Sequence, residues 1–245
     1  MSVLVLLLAS CSNLKDATYF NNIPDSQFKS NLENLEPVLK ENDLLSIAVS
    51  SLNPEATQIF NPVNSSEMDR NNSNQAPQYL IDQDGYIRFP FLGRIMAAGK
   101  TKPQLREEIT EELEKRELLV EPIVNIRYLN FRISVMGEVG NPSVLTIPSE
   151  KVSILEALSL AGDLTIYAQR DNVLLIREDK DIKKLTRIDL TSNEIFTSPN
   201  YFLKPNDIIY VEPNKSKVAS TSRLTSWLPV ILSALSLGVI VITAN

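Results

Sequence analysis

The chain has 245 residues, 43% hydrophobic and 22% charged, an ordinary globular composition with length for one or two domains. Its 24 Lys and Arg against 30 Asp and Glu leave a formal charge of −6, which argues against a broad nucleic-acid-binding face. Histidine is absent and cysteine occurs once, which excludes Ser-His-Asp and Cys-His nucleophile systems, His-ligated metal, Cys-only metal sites and an internal disulfide.

The chain opens on an apolar run from Val3 to Ala9. The run matches a short signal-peptide core and is far too short to span a bilayer. Leu8-Ala9-Ser10-Cys11 resembles the bacterial lipobox, with small residues before the cleavage point and a thiol immediately after it. On that reading residues 1–10 are a lipoprotein signal peptide and Cys11 becomes the acylated N-terminus. No Lys or Arg precedes the run. A buried first strand with an incidental cysteine is the plainer alternative, and the terminal position weakens it. Residues 11–34 then read as a polar tether.

Asn42-Asp43 reads as a turn feeding a strand over Leu44 to Val49, and Asn53-Pro54-Glu55 begins a short helical piece ending near Phe60. Residues 61–78 are an Asn/Ser-rich loop, and loops of that length are commonly functional. Strands are predicted at Tyr79 to Asp82 and Tyr86 to Phe89, paired as a hairpin about Gln83-Asp84-Gly85 with Gly85 at positive φ. Phe89-Pro90-Phe91-Leu92-Gly93 breaks the strand before Arg94-Ile95-Met96. Thr101 and Gln104 form a capping box, and Leu105, Ile109 and Leu113 give the helix a core stripe. The adjacent carboxylates Glu107 and Glu108 do not face each other, so no acid–base pair is read there. A further strand is expected from Pro122 to Arg127.

A second unit begins at Phe131. Its helix opens on the capping box Ser153-Ile154-Leu155-Glu156 and is closed by Gly162. Strands are expected at 173–177, 186–190 and 207–211. Strand, short helix and strands in this order give a small α+β domain. Asn206-Asp207-Ile208-Ile209 echoes Asn42-Asp43-Leu44-Leu45, which a turn feeding a buried strand explains without homology.

From Trp227 to Thr243 the chain is apolar, with no charge after Arg223. A helix from Ser226 to Thr243 would be about 27 Å long at ~1.5 Å per residue, close to the ~30 Å hydrocarbon core. Pro229 falls in its first turn, Trp227 sits as an interfacial aromatic, and Lys215, Lys217 and Arg223 lie outside the block. Ser222, Ser226, Pro229, Ser233, Ser236, Ile240 and Thr243 fall on one stripe, and Leu228, Ile231, Leu232, Leu235, Val239 and Ile242 largely on the other faces. Such hydroxyls line water or join helices. In a lone anchor they bond back to their own backbone. The pattern alone does not separate the two.

Asp82, Gly85, Phe89-Pro90-Phe91-Leu92-Gly93, Gly99-Lys100-Thr101 and Leu105 together resemble the polysaccharide-export motif of Wza-like outer-membrane lipoproteins. Val135-Met136-Gly137-Glu138-Val139 and Pro205-Asn206-Asp207-Ile208-Ile209-Tyr210-Val211 resemble the SLBB (β-grasp) domain that follows it in that family. Asn42 and Asn206 stand where the family has Gly before Asp, although Asn also tolerates the left-handed region. The resemblance implies an α+β chain of two small mixed domains plus a C-terminal transmembrane helix. Its parts are a polysaccharide-export domain at 35–130, one SLBB domain at 131–213, a linker at 214–223 and the helix at 224–243. It implies a non-enzymatic, cofactor-free and metal-free subunit of a homo-oligomeric ring that exports capsular or exopolysaccharide. The ring is lipid-anchored in the outer membrane with its soluble domains in the periplasm. An inner-membrane polysaccharide co-polymerase is the implied partner. Ser226, Ser233, Ser236 and Thr243 are the pore-lining candidates, with Asp82, Gly85, Phe89, Pro90, Gly93, Gly137 and Asp207 as structural motif residues. The alternative is a monomeric periplasmic ligand-binding or scaffold lipoprotein whose C-terminal helix is a second anchor. A carboxylate-based glycosidase or lyase finds no supporting pair.

Overall fold

The computed structural model describes residues 18–21, 24, 27–28, 36–61, 77–149, 151–179, 182–220, 233 and 236. Cys11, most of the tether, most of the Asn/Ser-rich loop and the C-terminal helix apart from Ser233 and Ser236 lie outside them. Among the described residues no helix is long and apolar enough to cross a membrane.

The first domain is organised around β1 (Leu44–Ser50), flanked antiparallel by β2 (Gln78–Leu80) and β5 (Ile123–Tyr128). Alternation along β1 buries Leu45, Ile47 and Val49. The short helix α1 (Pro54–Gln58) follows β1, and Asn53 caps it by accepting from the N–H groups of Glu55 and Ala56. Against the sheet lies α2 (Lys102–Lys115), whose Leu105, Ile109 and Leu113 are fully buried at helical spacing. Burial of side chains of this size is worth about 1.5–3 kcal/mol each. Thr101 and Gln104 form the predicted capping box, with both reciprocal bonds made.

Strand pairing departs from the sequence reading in one place. β3 (Tyr86–Phe89) pairs with β4 (Gly93–Met96), and not with the preceding strand. Between β2 and β3 a single rung, Asp82 N–H to Tyr86 O at 2.9 Å, marks the turn. The reason is competition for partners. β2 is already bonded to β1 through Leu44↔Leu80, and Phe91 and Gly93 at φ 61 and 79 make the tight reversal that pairs β3 with β4.

The second domain carries a five-stranded sheet in the order β7-β6-β10-β8-β9. β6 (Arg132–Gly137) and β10 (Ile208–Val211) run parallel at its centre, and β7 (Ser143–Thr146), β8 (Val173–Asp179) and β9 (Ile182–Ile188) add antiparallel. The hairpin of β8 and β9 starts four residues earlier on its second strand than the sequence suggests. α3 (Ile154–Leu160) covers the sheet with Ile154, Ala157 and Leu158 buried, and Ser153 and Glu156 complete the second capping box. A last helix, α4 (Lys215–Ser220), leaves this domain, held by Asn214 N–H to Tyr167 O and by Lys217 Nζ 3.4 Å from Glu138.

The tether is not wholly detached. Phe20 and Asn21 donate backbone N–H bonds to Leu190 O and Thr191 O of the second domain. Tyr19 and Phe20 pack on that domain's core, Phe20 lying 5.0 Å from the Phe196 ring. The Tyr19 hydroxyl donates to Asp163, and burial followed by that bond pushes its phenol pKa up. At the junction, Asn130 accepts from Leu44 N–H and donates to Asn42 O.

Candidate functional site

The motif residues of the first domain build two consecutive tight turns. Asp82 Oδ1 accepts from the N–H groups of Asp84 and Tyr86 at 3.0 and 2.8 Å, so the carboxylate holds the first turn from inside. Gly85 closes it at φ 86, where a Cβ would lie 2.8 Å from Ala98 Cβ. Its carbonyl accepts from both Ala97 and Ala98. Arg94 bonds Asp84 at 3.0 Å, lies 3.6 Å from Asp82 and covers the Tyr86 ring. The second turn is Phe89-Pro90-Phe91-Leu92-Gly93. Phe89 is buried, stacked 5.3 Å from Tyr79 and 6.3 Å from Phe60, while Phe91 is exposed at its tip. The Tyr79 hydroxyl is buried without a hydrogen-bond partner among the described residues, and burial pushes its phenol pKa up to about 12.

The echo between the two Asn-Asp phrases is geometric. Lys40 N–H donates to Asp43 Oδ2 and Lys204 N–H donates to Asp207 Oδ2, each at 2.8 Å. Asp43 N–H returns to Lys40 O and Asp207 N–H to Lys204 O, each at 3.2 Å. Asn42 and Asn206 occupy the left-handed region at φ 68 and 66. Each turn feeds a central strand, β1 or β10. The two face one cleft of about 390 Å³ between the domains, where Lys40 Nζ bonds Glu178 O.

Their electrostatics differ. Asp207 is fully buried and receives the Arg177 guanidinium in a fork, Nε at 2.9 Å and Nη2 at 2.7 Å. Asp43 receives no guanidinium among the described residues, and burial, against the opposing pull of the Lys40 N–H and the Lys40 charge, holds its carboxyl above the ordinary range. Gly137 sits at φ 95 where β6 meets β10, and a Cβ there would fall 2.0 Å from Val211 O. These contacts explain the motif residues by backbone geometry and buried ion pairing, and none of them arranges a nucleophile or an acid–base pair.

Ser233 and Ser236 are exposed, and Ser236 Oγ donates to Ser233 O at 2.8 Å. Ser226 and Thr243 lie outside the described residues. Sequence reasoning missed a second cleft, of about 480 Å³, where α2 and β5 meet the Pro148-Ser149 loop of the second domain. Lys102, Arg106 and Arg127 line it. The available signals were the four-residue spacing of Lys102 and Arg106 and the outward alternation of Ile123, Asn125 and Arg127 along β5.

Comparison with known proteins follows the same division. The polysaccharide biosynthesis/export protein family matches residues 33–129, and the SLBB domain matches residues 132–211. The EPS I polysaccharide export outer membrane protein EpsA of Ralstonia solanacearum is 30% identical over 152 residues, 60% of this chain and 40% of its own length. The capsule polysaccharide export outer membrane protein CtrA of Neisseria meningitidis serogroup A is 26% identical over 140 residues, 56% of this chain and 35% of its own length. The chain thus spans about 40% of the length of the curated relatives it matches. A polysaccharide biosynthesis/export domain followed directly by an SLBB domain, with relatives named as polysaccharide export outer membrane proteins, makes this chain similar to Wza-like polysaccharide export proteins, which are export proteins and not enzymes.

Proposed function

We propose that the chain is a subunit of an oligomeric outer-membrane channel that passes capsular or exopolysaccharide from the periplasm to the cell surface. The observation that supports this most is an export domain followed directly by an SLBB domain in a chain whose relatives are named for outer-membrane polysaccharide export. In this reading Cys11 carries the lipid, the two domains stand in the periplasm and residues 224–243 cross the membrane. Ser226, Ser233, Ser236 and Thr243 then face water. Identical subunits close a ring, and an inner-membrane co-polymerase supplies the polymer. The chain's own geometry favours anchoring through the SLBB domain. Asn21 of the tether and Lys215 of α4 line one cleft, so both approaches to the proposed anchors leave from the same face.

A monomeric periplasmic ligand-binding or scaffold lipoprotein with a dry C-terminal anchor is the second reading, and the Ser236 bond back to Ser233 O is compatible with it. The mass of the protein extracted in mild detergent separates the two. A closed oligomer supports the channel, and a monomer supports the anchor. Deletion of the gene should abolish surface polysaccharide, and undiminished export would overturn the export reading.

A further inference from the structure

The cleft at the junction of α2, β5 and the Pro148-Ser149 loop concentrates positive charge in a chain whose net charge is −6. Lys102 begins α2, and Arg106 lies one turn further along the same face. Arg127 reaches the same space from an outward position of β5, next to the junction. Lys102 is buried, with its Nζ 5.6 Å from the centre of the Tyr128 ring and 3.9 Å from Glu36, the one carboxylate lining the cleft among the described residues. Arg106 and Arg127 have no side-chain hydrogen bond or ion pair among the described residues. That is unexpected on a helix carrying Glu107, Glu108, Glu111, Glu112 and Glu114, since Arg116 on the same helix does bond Glu112 at 2.8 Å. Among the described residues the two guanidiniums make no ion pair, so the cleft carries their positive charge beside the Lys102–Glu36 pair.

The geometry points to this cleft as a binding site for an anionic sugar unit, carboxylate-bearing or acidic-substituted, of the polymer being exported. Its volume of about 480 Å³ falls in the ~300–1,000 Å³ range of ligand clefts. Guanidinium forks take carboxylates and phosphates in two parallel bonds. The Asn125 amide offers donors and an acceptor for sugar hydroxyls, the Ser149 hydroxyl, which donates to Lys151 O, offers an acceptor, and the Tyr128 ring offers an apolar wall. The site has a direction as well. On the other side of Arg106 a separate cleft between α2 and β5 is lined by Glu107 and Glu111, whose carboxylates repel an anion and favour the junction side. An open cleft holding charge mainly through exposed arginines binds weakly and releases quickly, which suits a polymer that must move on. This inference rests on the export reading and deepens it by naming the class of polymer.

The test uses the full-length protein in detergent and three probes. These are an oligogalacturonate, a neutral malto-oligosaccharide of equal length, and inorganic phosphate. Wild type should bind the uronate with an affinity that falls as salt rises, and should bind the neutral sugar at least tenfold more weakly. The double variant Arg106→Gln/Arg127→Gln should lose at least tenfold in uronate affinity with an unchanged melting temperature, because neither side chain holds a folded-state partner. Equal uronate binding by the double variant overturns the assignment, as does absence of uronate binding by wild type. Neutral sugar bound as tightly, or phosphate alone bound as tightly as the oligomer, overturns the saccharide class. A poly-glutamate peptide bound as tightly as the uronate overturns it in favour of an acidic protein partner. A gene-deletion strain that exports normally overturns the export reading instead, so the two failures remain distinct.

Discussion

At the scale of single residues, the motif is a set of backbone requirements. Gly85 holds φ 86 with Ala98 Cβ 2.8 Å from where its own Cβ would sit. Gly85→Val should therefore cost about 3 kcal/mol, combining left-handed strain with a clash, and a chemical denaturation curve measures it. Tyr79 predicts the opposite sign. Its hydroxyl is buried without a partner among the described residues, so Tyr79→Phe should stabilise the fold by about 1 kcal/mol. The pH dependence follows from the raised phenol pKa. Folded Tyr79 keeps its proton up to about 12 while the unfolded side chain ionises from 10.0, so stability falls as pH rises between these values. Wild type should lose more stability than Tyr79→Phe over that interval, and equal losses would mean the hydroxyl finds solvent.

At the scale of elements, legibility tracked how local the determining interaction is. Both capping boxes and the α2 stripe of Leu105, Ile109 and Leu113 were readable because all their partners lie within a few turns of chain. The left-handed turns at Asn42, Gly85 and Asn206 were readable for the same reason. Pairing of β3 with β4 was not, because Gly85 marks a turn without saying which neighbour each strand will bond. The positive cleft was legible only as two separate local signals, since Arg106 and Arg127 come together only when α2 packs on β5. The strap of Tyr19 and Phe20 left no periodic signal at all, being two aromatics in a polar tether. Its contribution is measurable. Phe20 is half-buried against Phe196, so Phe20→Ala should destabilise the second domain by about 2 kcal/mol, less than the ~3–5 of a fully buried ring. Cleavage by protease near residue 20 should accelerate in parallel. An unchanged melting temperature together with unchanged cleavage would show that the strap carries no stability.

At the scale of the whole molecule, the question is what surrounds the C-terminal stripe. In a ring each subunit supplies one helix, and the pore belongs to the assembly and not to any single chain. The serine stripe must then face water while Leu232 and Leu235 meet lipid or a neighbouring helix. A charge at mid-bilayer on a lipid-facing position costs about 2.5–3.5 kcal/mol on insertion scales, and far less beside water. Ser233→Lys and Ser236→Lys should consequently assemble and alter conductance or export, whereas Leu232→Lys and Leu235→Lys should impair insertion or assembly. The Ser236 bond to Ser233 O does not decide between the environments, because a hydroxyl bonded to its own helix tolerates either. Thiol labelling does decide. Cys11 is the only cysteine, so once it is lipidated an introduced thiol reports alone. Ser233→Cys and Ser236→Cys should react with a membrane-impermeant reagent while Leu232→Cys is protected. Protection at all three positions would mean a dry helix, and the monomeric anchor would then account for the C-terminus better than the channel does.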